Sequence, residues 1–278
     1  PNYVEEMNRT FSDGYEVTTS YRNSKYFGDN WISSGYALWF MRESSWLNRP
    51  RMRAGTSCAV SGTGFMFSRK VLDECGGWNF FLLTEDIEFT VDNVVNDRKI
   101  GYCEHAVLYD EQPTRFKQSF NQRKRWARGY VQVFGKYGRD MTRSVLHGSF
   151  ASYDMFMNIL PAAFVSIVGI IINVAGFVVS IVTRQNTAVV IGSAVGILNS
   201  MYLTVFAIGA LTTISEWKRI YAPSWKKILY TFTFPLFMLT YIPCMLAGVF
   251  ARTVTWKPIE HTRAANLAEI REGARRTA

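Results

Sequence analysis

Thr84-Glu85-Asp86 sets two carboxylates directly behind a hydroxyl, just after the aromatic run Trp78-Asn79-Phe80-Phe81. With Thr84 as the N-cap, both acids fall in a first helical turn, where the macrodipole favours them. A carboxylate in that setting, within hydrogen-bond reach of an acceptor hydroxyl, can take its proton during group transfer. The same tripeptide equally describes a capped helix without chemistry. Further on, Gln122-Arg123-Lys124-Arg125-Trp126 places Gln122, Arg125 and Trp126 at i, i+3 and i+4, on one helix face. An amide, a guanidinium and an indole on one face suit a diphosphate and the apolar face of a sugar, since Arg pairs with phosphate oxygens in a bidentate way. The competing reading is an interfacial helix, with Lys and Arg on lipid headgroups and Phe116, Phe120, Tyr130 and Phe134 at the acyl boundary. The third group is Ser61-Gly62-Thr63-Gly64. Its glycines either let the backbone approach a ligand closely or mark a strand bulge.

The elements that must hold these groups alternate in type. Residues 15–21 are rich in β-branched side chains and read as a strand, residues 35–46 as a helix with an aromatic face, and residues 59–67 as a strand interrupted by glycine. A short helix over 68–75 ends at Gly76-Gly77, and a helix opens at Thr84 and runs to about residue 96. A strand over 101–110 stops before Pro113, and a helix over about 115–137 follows. Strands alternating with helices predict an α/β layer with a mixed sheet.

The remainder of the chain has another character. Residues 155–183, 185–215 and 228–251 contain no Asp, Glu, Lys or Arg, and about 20 apolar residues suffice for a helix to cross a bilayer. The 278-residue chain is 48% hydrophobic and 19% charged, which excludes a disordered protein. Its net charge of +9 is concentrated in residues 111–143, beside the first apolar run. A basic belt there suits anionic headgroups or a phosphate-bearing ligand, and argues against nucleic acid as partner. Cys58, Cys75, Cys103 and Cys244 show neither a disulfide framework nor zinc spacing and read as ordinary core residues. If the first half is cytosolic, the loop 216–227 with its four basic residues returns to the inside, as the positive-inside rule asks. A full third crossing would put the basic tail outside, and Pro235 and Pro243 predict a kinked span or a hairpin instead. Asn158, Asn173 and Asn199 are candidates for helix-to-helix hydrogen bonds or for lining a polymer path.

Taken in order, Gly62-Thr63-Gly64, Gly76-Gly77-Trp78, Thr84-Glu85-Asp86, Asp110-Glu111-Gln112-Pro113 and Gln122-x-x-Arg125-Trp126, followed by hydrophobic spans, closely resemble the processive, membrane-embedded family 2 glycosyltransferases. These are the chitin-oligosaccharide, poly-N-acetylglucosamine, hyaluronan and cellulose synthases. The resemblance runs over nearly the whole chain. It implies a GT-A-like α/β domain with a mixed sheet, its N-terminal part missing, followed by an α-helical transmembrane region. It also implies an inverting hexosyltransferase that moves a sugar, N-acetylglucosamine being expected, from a UDP-sugar to a growing β-linked polysaccharide and threads the product across the membrane. Asp86 would be the catalytic base, with Glu85 and Thr84 shaping its setting. Gln122, Arg125 and Trp126 would line the diphosphate and acceptor site, and Gly62, Thr63 and Gly64 the acceptor pocket. The family's divalent cofactor, Mg²⁺ or Mn²⁺, would be held by an Asp-x-Asp expected upstream of Pro1, together with the uridine-contacting strand. The expected partners are a nucleotide-sugar donor, an oligosaccharide or polysaccharide acceptor and the lipid bilayer. The expected location is the plasma membrane, multi-pass, with the catalytic part cytosolic. The corresponding domain boundaries are 1–112 for the catalytic part, 113–150 for the interfacial segment, 151–251 for the transmembrane region and 252–278 for the tail. The alternatives are transfer of one sugar to a lipid carrier, and a membrane transporter or scaffold without chemistry.

Overall fold

The computed structural model describes residues 2–159, 161–183, 187–251 and 266–276. Helix α1 (Tyr3–Ser12) opens it; Asn2 stands at its N-cap position but makes no side-chain cap bond. Strand β1 (Val17–Ser24) is the centre of a three-stranded mixed sheet. It pairs antiparallel with the short β2 (Phe65–Phe67) and parallel with β3 (Ile100–Asp110). The parallel register runs from Val17 opposite Ile100 to Ser20 opposite Cys103, then jumps so that Tyr21 faces Val107 and Ser24 faces Asp110. Residues 104–106 of β3 therefore bulge out, a device that re-aims side chains. Glu104 in the bulge pairs with Arg49 and, at 3.0 Å, with Arg219.

Helix α2 (Trp31–Arg42) starts earlier than the sequence predicts, because Asn30 caps it. The Asn30 Oδ1 accepts from the Ile32 and Ser33 N–H groups at 2.9 and 3.1 Å, and Ser33 Oγ accepts from Asn30 N–H at 3.2 Å. This reciprocal arrangement satisfies otherwise orphaned helix-start donors. The helix continues as a wider π-helical segment, Glu43–Asn48, and then α3 (Arg49–Arg53). Pro50 has no N–H to return to the carbonyl of residue 46, and the wider turn accommodates that loss. Asn48 bonds both backbone groups of Ala59, at 3.0 and 3.1 Å, so this segment fixes the chain leading to Gly62. Only residues 65–67 of the expected 59–67 strand join the sheet; Gly62 and Gly64 take positive φ and bend the chain away.

Helix α4 (Arg69–Glu74) is capped by Ser68. Helix α5 (Glu85–Val95) precedes β3, and α6 (Phe116–Leu146) is the long helix after it. Among the described residues, most buried apolar side chains form one core shared by β1, α2, the α5 face bearing Phe89, and the segment carrying Phe234 and Phe237. Its aromatic centre is Phe65, Phe67, Trp78, Phe80 and Phe89, with ring centroids 5.2–6.4 Å apart, the spacing of tilted and edge-on aromatic pairs.

Helices α7 (Phe150–Ile159), α8 (Pro161–Val182), α9 (Thr187–Ser215), α10 (Ser224–Leu239) and α11 (Tyr241–Val249) follow. The short α12 (Leu267–Arg276) ends the described chain. Among the described residues, 194–215 and 224–249 are long and apolar enough to cross a bilayer, and Ile171–Val182 is a shorter apolar helix. Ile172, Val182, Leu198 and Ile214 are more than half exposed, an apolar surface that water does not favour. Asn158, Asn173 and Asn199 are also exposed, and among the described residues Asn173 bonds its own helix, at Gly169 O. The third apolar run breaks at Thr240. Pro243 cannot follow Leu239 in an unbroken helix, because its ring meets the carbonyl four residues back. The two halves then dock separately, α10 against α2 and α9, and α11 against α6.

That docking explains Arg123. It is 1% exposed, not on the polar face where an interfacial reading of α6 puts it. Its guanidinium lies 4.6 and 4.8 Å from the Phe237 and Tyr241 rings. It donates to Phe237 O at 3.2 Å and Thr240 Oγ1 at 2.7 Å. A cation on the Phe237 carbonyl, in the last turn of α10, helps satisfy that helix end and complements its dipole.

Candidate active site

The start of α5 is strapped to α6. Leu83 N–H donates to Gln132 Oε1 at 3.2 Å, and Arg125 donates to Leu83 O. Glu88, buried, accepts from Leu82 N–H at 2.9 Å and from Lys136 Nζ at 2.6 Å. Thr84 occupies the N-cap position but makes no side-chain cap bond. Its buried Oγ1 has no hydrogen-bond partner among the described residues, and the side chain is seated against Gly129 of α6 instead. The expected cap is thus replaced by helix–helix packing, possible because Gly129 carries no side chain. Further along, Thr90 Oγ1 donates to Asp86 O at 2.9 Å and accepts from Val60 N–H at 3.0 Å. Helix α5 is thereby tied to the backbone approaching Gly62.

Asp86 sits where these elements meet. It is half-buried, crowded by protein yet open on one side. Burial, then the neighbouring Glu85 charge, push its carboxyl up from 3.8 to about 6, while the Ile87 backbone N–H, Arg22 and Arg125 pull the other way. Among the described residues no side chain hydrogen-bonds or ion-pairs with it. A carboxylate so placed is accessible, desolvated and tuned toward neutral pH, the condition for accepting a proton. Tyr130, on α6, is held neutral by burial and by the charges of Asp86 and Glu43.

The structure brings the Thr84-Glu85-Asp86 and Gln122-x-x-Arg125-Trp126 groups together. Arg125 is the direct link, through Leu83. Trp126 meets Tyr36 and Phe40 edge-on, with centroids 5.9 and 6.1 Å away, so one part of its ring is committed to the core. Gln122 Oε1 is buried and has no partner among the described residues. The two glycines differ. A side chain on Gly62, whose φ is +74°, would meet Arg22 Nη1 at 3.7 Å and Asp86 Oδ2 at 3.8 Å; one on Gly64 would strike Ser20 Oγ at 2.5 Å. Gly62 faces the acid, whereas Gly64 lets the chain pack on the sheet. Thr63 between them is exposed.

Sequence reasoning missed Arg22, Glu43 and Tyr130. Tyr130 was within reach: it continues the Gln122/Trp126 face by one helical turn. Arg22 falls one residue beyond the strand expected over residues 15–21, and no motif marks it. Two surface hollows, one lined by Gly55, Arg98 and Phe150 and the other by Asp92, Tyr137 and His147, contain none of these side chains. Among the described residues no three His, Cys, Asp or Glu side chains gather. A divalent ion takes about six oxygen ligands, and the adjacent acids Glu85 and Asp86 do not fit one by themselves.

Residues 1–129 match the family described as Glycosyltransferase like family 2. Over 78 residues the chain is 32% identical to a probable glycosyltransferase of Bacillus subtilis, covering 28% of this chain and 19% of that protein. Over 115 residues it is 29% identical to the beta-monoglucosyldiacylglycerol synthase of Trichormus variabilis, covering 41% of this chain and 24% of the relative. Over 81 residues it is 32% identical to a UDP-forming cellulose synthase of Dictyostelium discoideum, in its catalytic polypeptide, covering 29% and 8%. The matched stretch is thus a quarter or less of each relative's length. These likenesses support a transferase.

Proposed function

We propose that this chain carries the acceptor-side machinery of an inverting glycosyltransferase of family 2, with Asp86 as the general base. The observation that carries the reading is the Asp86 carboxylate itself: raised to about 6, free of side-chain partners among the described residues, and set between the Leu83–Arg125 strap and the Gly62 bend. In the reaction the acceptor hydroxyl oxygen attacks the anomeric carbon of the donor sugar. Its proton passes to Asp86, and the bond from the anomeric carbon to the diphosphate oxygen breaks with inversion. Arg125 retains N–H groups beyond the one given to Leu83, and a guanidinium there stabilises the departing diphosphate. Gln122, one turn before Arg125 on the same helix face, lines the acceptor side.

The donor is a UDP-sugar, with N-acetylglucosamine the first to test, and the acceptor is a growing β-linked polysaccharide. Helices α8–α11 lie in the plasma membrane, α6 runs along its cytosolic face, and the product crosses as it grows. A second reading, one sugar placed on a lipid, is favoured by the longer likeness to a glycolipid synthase and by the apolar surface of α8 and α9. Membranes carrying the full-length protein, given radiolabelled UDP-N-acetylglucosamine and UDP-glucose, separate the two. A ladder of long products supports the polymer reading, and a single glycolipid the other. Asp86→Asn abolishes both products while the protein still inserts; near-normal transfer by that variant overturns the base assignment.

A further inference from the structure

Arg22 is the fixed cation beside the acid. It lies in β1 and its side chain is 14% exposed. Four elements hold it. Its Nε donates to Asp110 Oδ2 at 3.0 Å, and its Nη2 pairs with the same oxygen. The Nη1 group donates to Ser61 O at 2.9 Å. Its plane covers the Phe40 ring at 3.6 Å, and its own backbone N–H is fixed on Ser44 Oγ at 3.2 Å. Asp110 is itself steadied by Gln112, whose Nε2 donates to Oδ2 at 3.1 Å. What this clamp fixes is the Ser61–Gly62 bend, and the vacant Cβ position of Gly62 is in ordinary contact with both Arg22 Nη1 and Asp86 Oδ2.

We propose that Arg22 is a positioning residue of the Asp86 site, which latches the Ser61–Gly62 bend beside the carboxylate and supplies the fixed positive charge on that side of it. The proposal rests on the reading of Asp86 as base. Arg22 is suited to both tasks. A guanidinium is always charged, and its planar fork can bind Asp110 on one edge and a carbonyl on the other while stacking on an aromatic face. Lysine could supply only the charge. The charged groups that act on Asp86 are then Glu85 on α5, Arg125 on α6 and Arg22 on β1, with Asp110 on β3 and Glu43 in the π-helical segment acting through Arg22, while Tyr130 on α6 faces it as a neutral phenol. Arg22 and Arg125 are the two cations in this set that lower the Asp86 carboxyl, one from β1 and one from α6.

Two measurements test this in the membrane-inserted protein. The first needs no donor sugar: apparent unfolding temperatures in detergent at pH 4 and 7.5 for the wild type, Asp86→Asn, Arg22→Gln and the double variant. Removing the Arg22 charge makes the ionised Asp86 costlier, so Asp86→Asn raises the pH 7.5 unfolding temperature by about 2–4 °C more in the Arg22→Gln background than in the wild type, with no such difference at pH 4. A purely structural arginine lowers all temperatures and leaves that coupling at zero, which overturns the proposal. The second is the pH dependence of transfer. Its acid limb moves up by about half a unit or more in Arg22→Gln, stays in place with a reduced kcat in Arg22→Lys, and moves down in Asp110→Asn, which unmasks the Arg22 charge. Should Arg22→Gln fail to insert, the Asp110 variant carries both measurements: at pH 7.5 Asp86→Asn raises the unfolding temperature less in the Asp110→Asn background than in the wild type, and an equal rise overturns the proposal. Unshifted limbs in every variant, with Asp86→Asn inactive, overturn the role of Arg22 alone; an active Asp86→Asn overturns the base and this role together.

Discussion

Replacing Gly129 by alanine tests whether α6 sets the position of the acid. An added Cβ would stand 2.5 Å from Thr84 Oγ1, 2.6 Å from Cγ2 and 2.9 Å from Cβ. Ordinary carbon contacts lie at about 3.5–4.0 Å, so Thr84 must retreat by about 1 Å. It has little room: Thr84 is 3% exposed, and a β-branched side chain has few χ1 alternatives. The retreat also stretches the Leu83 bonds to Gln132 and Arg125. Overpacking of this kind costs about 1–3 kcal/mol, against a helix-propensity gain of up to about 1 kcal/mol for Gly→Ala. The net expectation is a loss of about 1–2 kcal/mol. Gly135 is the internal control, on the same helix with nothing within 4 Å of its Cβ position; Gly135→Ala should gain about 0.5–1 kcal/mol. Asp86 follows Thr84 by two residues, and misplacing a reacting group by about 1 Å can lower a rate on the order of 100-fold. Thermal unfolding in detergent and initial rates of sugar transfer are measured for both variants. If the two alanines shift stability with the same sign, or Gly129→Ala transfers at the wild-type rate, the strap does not position the acid.

Asp86→Asn should stabilise the fold at pH 7.5 while removing activity. The folded carboxyl lies at about 6 against an ordinary 3.8, so the native state holds its proton longer and stability falls as pH rises between those values. The gain is on the order of 3 kcal/mol above pH 6 and vanishes below pH 4; an equal effect at both pH values contradicts the raised carboxyl. Wild-type transfer should decline as pH drops through about 6, in step with the protonation of Asp86. Glu216 accepts from Tyr21 OH at 2.7 Å and Ser45 Oγ at 2.6 Å, all three buried. Glu216→Ala should therefore lose about 3 kcal/mol or more, with Glu216→Gln in between; unchanged melting of the alanine variant would refute this. Arg123→Gln, which strips the donors from Phe237 O and Thr240 Oγ1, should lose about 2–3 kcal/mol and expose the Thr240 break to limited proteolysis; a cleavage pattern like the wild type's counts against Arg123 as the clasp.

Much of the candidate site was legible because its groups are local. Glu85 and Asp86 fall in one turn, and Gln122, Arg125 and Trp126 share a face by the 3.6-residue period alone. The apolar runs, and a break caused by proline in the third, follow from composition and the missing proline N–H. What joins these pieces is not local. Thr84 has the type and place of a helix cap, yet Gly129, far along the chain, offers it a seat where packing replaces the cap. Arg123 belongs on a wet face by its type and neighbours, but α11 covers that face, and Phe237 O and Thr240 Oγ1 claim its donors. Arg22 had no motif to mark it, since its partner Asp110 comes into reach only after the register jump between Ser20 and Tyr21. Side-chain spacing within one helix or strand is set by backbone geometry, and so is written in consecutive residues. Which cation meets which acid across the sheet is set by register, bulge and the docking of a broken helix, and these depend on the whole chain packing at once.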